Sequence, residues 1–298
     1  MTVTEEERTE KRPRSLNGYE RTARGLIERF MAEELWRRPR YAWHRFWGDI
    51  NPFPRTMRQV WDFAAGDADY AAHMVNGSPD EATLQRTGAK MAERLITALA
   101  IEPDHCVLDL GPGVARVGRE MAPQVRRWVG ADVSRKMLDR AAERMHHLPN
   151  ATFAHISGDG SLPFPDAVFD RAYAHLVFFH IDKQEMWESI REIARCLKPG
   201  GILYGDTWNL QNEDGWQRWL AEVEHYRGRR RPVHHNRWST EAEMRTFAER
   251  AGLVTLTCLN DSCWLQLIAA RPFADGSVPT LGDLSILPPP AGSWYYND

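Results

Sequence analysis

Cysteine is scarce in this chain. Cys106, Cys196, Cys258 and Cys263 are all there is, and no two stand in a C-x-x-C spacing. They offer neither a disulfide scaffold nor a thiolate zinc site, and they read as the reduced thiols of a cytoplasmic protein. Apolar runs are short: none approaches the roughly 18 residues of a membrane-spanning helix, so no membrane association is expected. The first residues, 1–14, are polar and lack the apolar segment of a signal peptide. Charge of one sign is missing too. Lys and Arg number 38 against 41 Asp and Glu, a net charge of −3, which gives no electrostatic reason to expect nucleic acid. Repeats and low-complexity tracts are absent. His234-His235 has no acid or cysteine close by in sequence, so no metal is expected.

Tryptophan, by contrast, is abundant. There are 12, and Trp36, Trp43, Trp47 and Trp61 crowd into one stretch. Such side chains anchor a helical layer on a core or wall a ligand. Residues 17–35 carry a helical stripe (Leu26, Ile27, Phe30, Met31, Leu35), and Pro39, Pro52 and Pro54 break the aromatic stretch 36–76 into short pieces. Ser78-Pro79-Asp80-Glu81 predicts a helix start with Ser78 as cap. Beyond residue 100 the pattern alternates. Strands are predicted at 106–110, 128–133, 151–156, 169–174 and 202–204, with helices between them, which implies a parallel sheet covered on both faces. A stretch at 206–238 interrupts the rhythm. Thr240-x-x-Glu243 opens a further helix that stops at Gly252, and strands at 253–259 and 264–271 close the core. Residues 273–298 read as a tail.

The most informative segment is Val107-Leu108-Asp109-Leu110-Gly111-Pro112-Gly113-Val114-Ala115-Arg116. A buried strand ends in an acid, and two glycines open a helix, letting the backbone turn sharply against a ligand. A dinucleotide site would need a third glycine where Arg116 stands, which argues against a nicotinamide oxidoreductase. Asp132 ends the next strand, where a carboxylate accepts from both hydroxyls of a ribose. Asp159-Gly160 follows the third strand and can receive an adenine amino group or simply form a turn.

Val107–Arg116, Val129-Gly130-Ala131-Asp132, Gly158-Asp159-Gly160 through Leu162-Pro163-Phe164-Pro165-Asp166 and Phe169-Asp170, and Glu192 with Leu197-Lys198-Pro199-Gly200-Gly201 occur in that order. Together they resemble the class I S-adenosylmethionine-dependent methyltransferases of the small-molecule type 11 group, over residues 85–271. The resemblance implies a Rossmann-like α/β fold with a seven-stranded, mostly parallel sheet whose last strand is antiparallel. It implies an N-terminal helical cap at 1–84, a core at 85–272 with a lid insert at 206–238, and a tail at 273–298. The family usually has Gly where Ala115 stands and often Cys at Pro112. Asp109, Gly111 and Gly113 would line the amino-acid end of S-adenosylmethionine, Asp132 its ribose, and Asp159 with Gly160 its adenine. Ala174 and His175 would sit near the methionine portion, and Arg116, Val133, Met137 and Gly158 complete the expected cofactor contacts. The product would be S-adenosylhomocysteine.

Methyl transfer from a sulfonium needs alignment, a dry site and, for some acceptors, a base. The resemblance to sugar and phenol methyltransferases places His180 as base, with Asp206 as its partner or a substrate contact; His175 is the further catalytic candidate, and better a pocket wall. Such a base predicts a rate rising with pH through an ordinary histidine pKa. Substrate contacts are expected from Trp43, Trp47, Trp208, Tyr226, Arg230 and His235, and the Arg-rich run 227–237 suits an anionic substrate. The expectation is O-methylation of a small molecule by a monomer or homodimer, with N- or C-methylation as the alternative. A nucleic-acid methyltransferase is disfavoured because Ala174-His175-Leu176-Val177 stands where an Asn/Asp-Pro-Pro-aromatic motif would hold a flipped base. A non-catalytic cofactor-binding scaffold remains a further alternative.

Overall fold

The computed structural model describes Arg40, Trp43 and residues 56–228 and 231–287. The expected helix at 17–35 lies outside that range, as do Trp47 and Arg230. Helices α1 (Met57–Ala64), α2 (Ala68–Asn76) and α3 (Glu81–Ala98) precede the sheet. The cap of α3 is Asp80, whose carboxylate accepts from the Thr83 N–H, and not Ser78. Ser78 Oγ instead accepts from the Asp80 N–H, so the serine shapes the turn and the acid ends it. The expected boundary at 84/85 therefore falls inside a helix.

The core alternates as anticipated: β1 (Cys106–Leu110), α4 (Gly118–Met121), β2 (Arg127–Asp132), α5 (Arg135–Met145), β3 (Ala151–His155), β4 (Phe169–Ala174), α6 (Lys183–Cys196) and β5 (Leu197–Asn209). Then come α7 (Glu213–His225), β6 (Trp238–Ser239), α8 (Glu241–Arg250), β7 (Val254–Leu259) and β8 (Trp264–Ala270). The strands lie in the order β3-β2-β1-β4-β5-β8-β7, with β6 pairing on β5. β1 to β5 are mutually parallel, and β8 runs antiparallel to both β5 and β7. This is the expected fold, with β6 as an addition. β5 is much longer than its apolar run Ile202–Tyr204 suggested, because Asp206, Thr207 and Trp208 continue the ladder opposite Gln266, Leu265 and Trp264. The insert thus begins after Asn209 and not at Asp206.

Strand alternation divides the core in two. Leu108, Leu110, Val129, Ala172 and Leu203 meet Ile190 and Ile193 of α6 and Met244 of α8. Val107, Trp128, Tyr173 and Tyr204 meet Met91 and Leu95 of α3 and Met145 of α5. Leu281, Leu284 and Leu287 of the tail pack on that second core, so this part of the tail is a component of the fold. Strand order reverses between β1 and β4, and ligands of such sheets bind beyond the carboxyl ends at that crevice.

Candidate active site

β1 is buried throughout and delivers Asp109 to the crevice. The turn after it needs its glycines. Gly111 has φ +71° and Gly113 φ +55°, and a Cβ on either would fall 2.6 Å from Val177 Cγ2 or 2.7 Å from Val75 Cγ1. Ala115 also has φ +55°, which explains why a glycine is usual there. Asp132, at the end of β2, accepts from the Gly113 N–H (3.2 Å) and the Ser134 N–H (2.8 Å), tying the glycine turn to the start of α5. Ser134 caps α5 through the Met137 N–H and donates to Asp62 of α1, which fixes the N-terminal helices over the sheet edge.

A cavity of about 380 Å³ lies between these parts. Asp109, Gly111, Gly113, Arg116, Asp132 and Val133 line it, as do Met137, Gly158, Gly160, His175 and His180. Of the expected cofactor residues, two do not. Asp159 is fully exposed, and Ser157 and Ser161 occupy its Oδ1 and hold its carboxyl down at about 2. It shapes the turn that presents Gly158 and Gly160 to the cavity and is not itself on the cavity wall. Ala174 is buried in the sheet core, away from the cavity.

The electrostatics of the cavity favour a cation. Burial raises Asp109 to about 8, against the opposing hydrogen bond from the Tyr173 hydroxyl (2.7 Å) and helped by nearby Asp132. Burial likewise raises Asp132 to about 6, although the Ser134 and Gly113 N–H groups oppose it. A ligand carrying positive charge and vicinal hydroxyls relieves both carboxyls, and S-adenosylmethionine has both. The glycine cradle leaves room for its amino-acid end beside Asp109, so the residues present fit that group.

The histidines depart from expectation. His175 Nδ1 meets Asp206 Oδ2 at 2.5 Å, and Asp206 Oδ1 accepts from the Leu176 N–H at 2.6 Å. Asp206 is 3% exposed and is held behind His175, so it is neither the partner of His180 nor a substrate contact. The reason lies in the extra length of β5: the strand's pleat sets residue 206 beside the end of β4, at 175, rather than beyond the loop at 180. His180 lines the cavity and meets the edge of Trp61 at 5.2 Å. Its Nδ1 is buried without a hydrogen-bond partner among the described residues. Burial, with His234 and Arg237 nearby, lowers its pKa to about 3, so the ring is neutral throughout the physiological range and titrates far below the expected window.

The anticipated substrate side chains lie elsewhere. Trp208 stacks on Trp264 (4.1 Å) and Trp238 (6.2 Å) beneath the insert, and Tyr226 ends α7. His235 Nδ1 pairs with the Pro232 carbonyl, and Trp43 is 58% exposed. None of these lines the cavity, and neither does any described residue of 206–238. The insert instead braces the loop after β4, where Arg237 donates to the Phe179 and His180 carbonyls. The apolar wall comes from Trp61, Met74 and Val75 of α1 and α2, and from Leu176, Val177 and Ile181. Glu185 joins it, with its carboxyl raised by burial. Of these, Glu185 had a sequence signal, the capping box Asp182-x-x-Glu185 after β4. Met74 and Val75 had none.

A family profile described as "Methyltransferase domain" matches residues 107–201. Among curated proteins, the chain is 33% identical over 123 residues to methyltransferase GfsG of Streptomyces halstedii, covering 40% of this chain and 44% of that protein. It is 30% identical over 127 residues to the 27-O-demethylrifamycin SV methyltransferase of Amycolatopsis mediterranei, covering 42% and 46%. The chain thus spans less than half the length of these relatives. Among solved structures, a methyltransferase in complex with the Trm112 activator of Haloferax volcanii superposes with a TM-score of 0.55 at 20% identity, covering 71% of this chain and 97% of that one. The [4+2]-cyclase SpnF superposes with a TM-score of 0.51 at 19% identity, covering 62% and 82%. These two likenesses concern the fold.

Proposed function

We propose that the chain carries a class I S-adenosylmethionine-dependent methyltransferase domain and that it methylates an apolar small molecule at an acidic hydroxyl. The observation that carries this reading is the cavity in which Asp109, Asp132 and the glycine turn face an apolar lid. Asp132 takes the ribose hydroxyls, and Asp109 takes the ammonium of the amino-acid end. Bound there, the sulfonium supplies an activated methyl group that needs no further activation by the protein. Trp61, Met74 and Val75 exclude water from the transfer, and Leu176, Val177 and Ile181 set an apolar seat for the acceptor.

The acceptor's proton is the remaining problem. A base near 3 takes a proton from an ordinary alcohol poorly, so His180 suits an acceptor that ionises easily, such as a phenol or enol. The rifamycin relative is by its name an O-methylating enzyme, which supports oxygen as the acceptor atom. Carbon is the second reading, favoured by the same weak base and by the sterol 24-C-methyltransferase of Yarrowia lipolytica, 34% identical over 140 residues. Arg227 and Arg231 are not on the cavity wall, so these two described residues of the Arg-rich run are not what would hold the anionic acceptor suggested by sequence.

The test is titration of the protein with S-adenosylhomocysteine, followed by labelled methyl transfer to a panel of phenols, enols and aliphatic alcohols. Binding with transfer to phenols or enols is expected. Binding without transfer to any acceptor class, or preference for charged acceptors, overturns the reading in favour of a scaffold or of the anionic alternative.

A further inference from the structure

A buried polar chain runs from the cavity wall into the sheet, and methyl transfer as described gives it no task. Arg116 Nη2 lies 2.8 Å from His175 Nε2; His175 Nδ1 lies 2.5 Å from Asp206 Oδ2; the Tyr204 hydroxyl reaches Asp206 Oδ2 at 3.1 Å. Donor and acceptor counting fixes the protons. A guanidinium only donates, so Nε2 must present its lone pair. The one proton of the neutral ring then sits on Nδ1 and is donated to Asp206. Burial lowers the His175 pKa, with Arg116 and Arg94 opposing its charge and Asp206 favouring it, in keeping with a neutral ring. Asp206 is itself pinned by the Leu176 N–H, donated from a residue with φ +63°.

On the reading of the site as an S-adenosylmethionine pocket, we propose that Asp206 is a positioning residue, which, through the fixed tautomer of His175, holds the Arg116 guanidinium on the cavity wall to receive the carboxylate of the cofactor's amino-acid end. Arg116 closes the same glycine turn that Asp109 opens, so one wall carries a guanidinium and a carboxyl that a ligand's ammonium would ionise. A zwitterionic amino acid needs that pairing, ammonium on Asp109 and carboxylate on the arginine fork. Were the proton of His175 on Nε2 instead, two donors would face each other across 2.8 Å, and the guanidinium would have to leave its seat.

The full chain is titrated calorimetrically with S-adenosylhomocysteine and with methylthioadenosine, a nucleoside thioether lacking the amino acid, and the His175 ring nitrogens are read by ¹⁵N NMR. The parent is expected to show the Nδ1–H tautomer. In Asp206→Asn the side-chain amide can donate to Nδ1 and drive the proton to Nε2. Affinity for S-adenosylhomocysteine should fall about 10- to 100-fold, the scale of one charge-assisted hydrogen bond, while methylthioadenosine binding changes less than about 2-fold. KM for S-adenosylmethionine should rise more than kcat falls. His175→Gln, whose amide can donate to Asp206 and accept from Arg116, should retain most of the affinity. If Asp206→Asn does not fold, Arg116→Gln serves the same comparison of the two ligands.

An Nε2–H tautomer in the parent, or equal losses for the two ligands, overturns the proposal while the methyltransferase reading stands. A parent that binds neither ligand overturns both.

Discussion

Asp109 and Asp132 each have a folded pKa above the roughly 3.9 of an unfolded aspartate, so the folded chain holds protons that the unfolded chain has released. Their contribution therefore destabilises the ligand-free protein progressively as pH rises from about 4, reaching its full extent above about 6 for Asp132 and about 8 for Asp109. Asp109→Asn keeps an acceptor for the Tyr173 hydroxyl and removes the buried charge. It should raise stability least near pH 4 and progressively more up to pH 8, with a gain at pH 8 that exceeds the gain at pH 5 by more than about 1 kcal/mol, measured by thermal unfolding. The same variant should weaken S-adenosylhomocysteine binding. Asp132→Ala should weaken that binding by about 2–4 kcal/mol, the worth of two hydrogen bonds to a charged group, with calorimetry on the folded variant as the check. At His180 the expectation concerns pH: turnover of the parent should show no inflection near pH 6.5 from this ring, because its pKa sits at about 3. A pH–rate profile governed by a histidine-like pKa that vanishes in His180→Ala would restore it as an ordinary base.

At the scale of elements, two helices open on the same capping device with different consequences. Asp182 with Glu185 starts α6, and Thr240 with Glu243 starts α8; in both, side chain and backbone bond reciprocally. Removing either cap, by Asp182→Ala or Thr240→Ala, should cost about 1 kcal/mol in denaturant unfolding. Turnover should separate them. Glu185 lines the cavity, so freeing it in Asp182→Ala should lower kcat, whereas Thr240→Ala should leave kcat at the parental value. Both boxes have a spacing legible in the sequence, but spacing alone does not tell that Glu185 faces a cavity and Glu243 does not. The length of β5 was not legible. Asp206, Thr207 and Trp208 carry no strand pattern of their own, and they extend the strand because β8 supplies an antiparallel partner, joined at Trp208 by β6 on the other side.

For the whole molecule, α1 and α2 are joined to the sheet through a few specific contacts. Ser134 donates to Asp62, and Arg140 donates to the Ala65 carbonyl. Tyr70, Ala71 and Leu84 pack around Val114 and Met137, which follow the two strands that deliver Asp109 and Asp132. A ligand that fills the cavity touches both layers at once. S-adenosylhomocysteine should therefore slow amide hydrogen exchange across 57–76 as well as across 111–118, and leave 213–225 of the insert unchanged. Protection confined to 111–118 would show that the N-terminal helices do not close the site.

Local chemistry determined much of this protein from sequence alone. A buried apolar run ending in Asp109, glycines where positive φ is required, and an acid one strand later can satisfy their backbone and charge in few ways, so the sheet and much of the cavity wall at its carboxyl ends were legible in the chain. The positive φ at Ala115 marks the place where the sequence departs from that local rule and the fold holds it anyway. Tertiary structure decided the partnerships. Nothing in the spacing of 175, 180 and 206 tells which histidine Asp206 meets. That depends on the register of β4 against β5, a property of the assembled sheet. The ionisation of Asp109 and His180 depends on how much water the packed lid removes, and the lid residues Met74 and Val75 are ordinary helix apolars until the sheet edge lies beneath them.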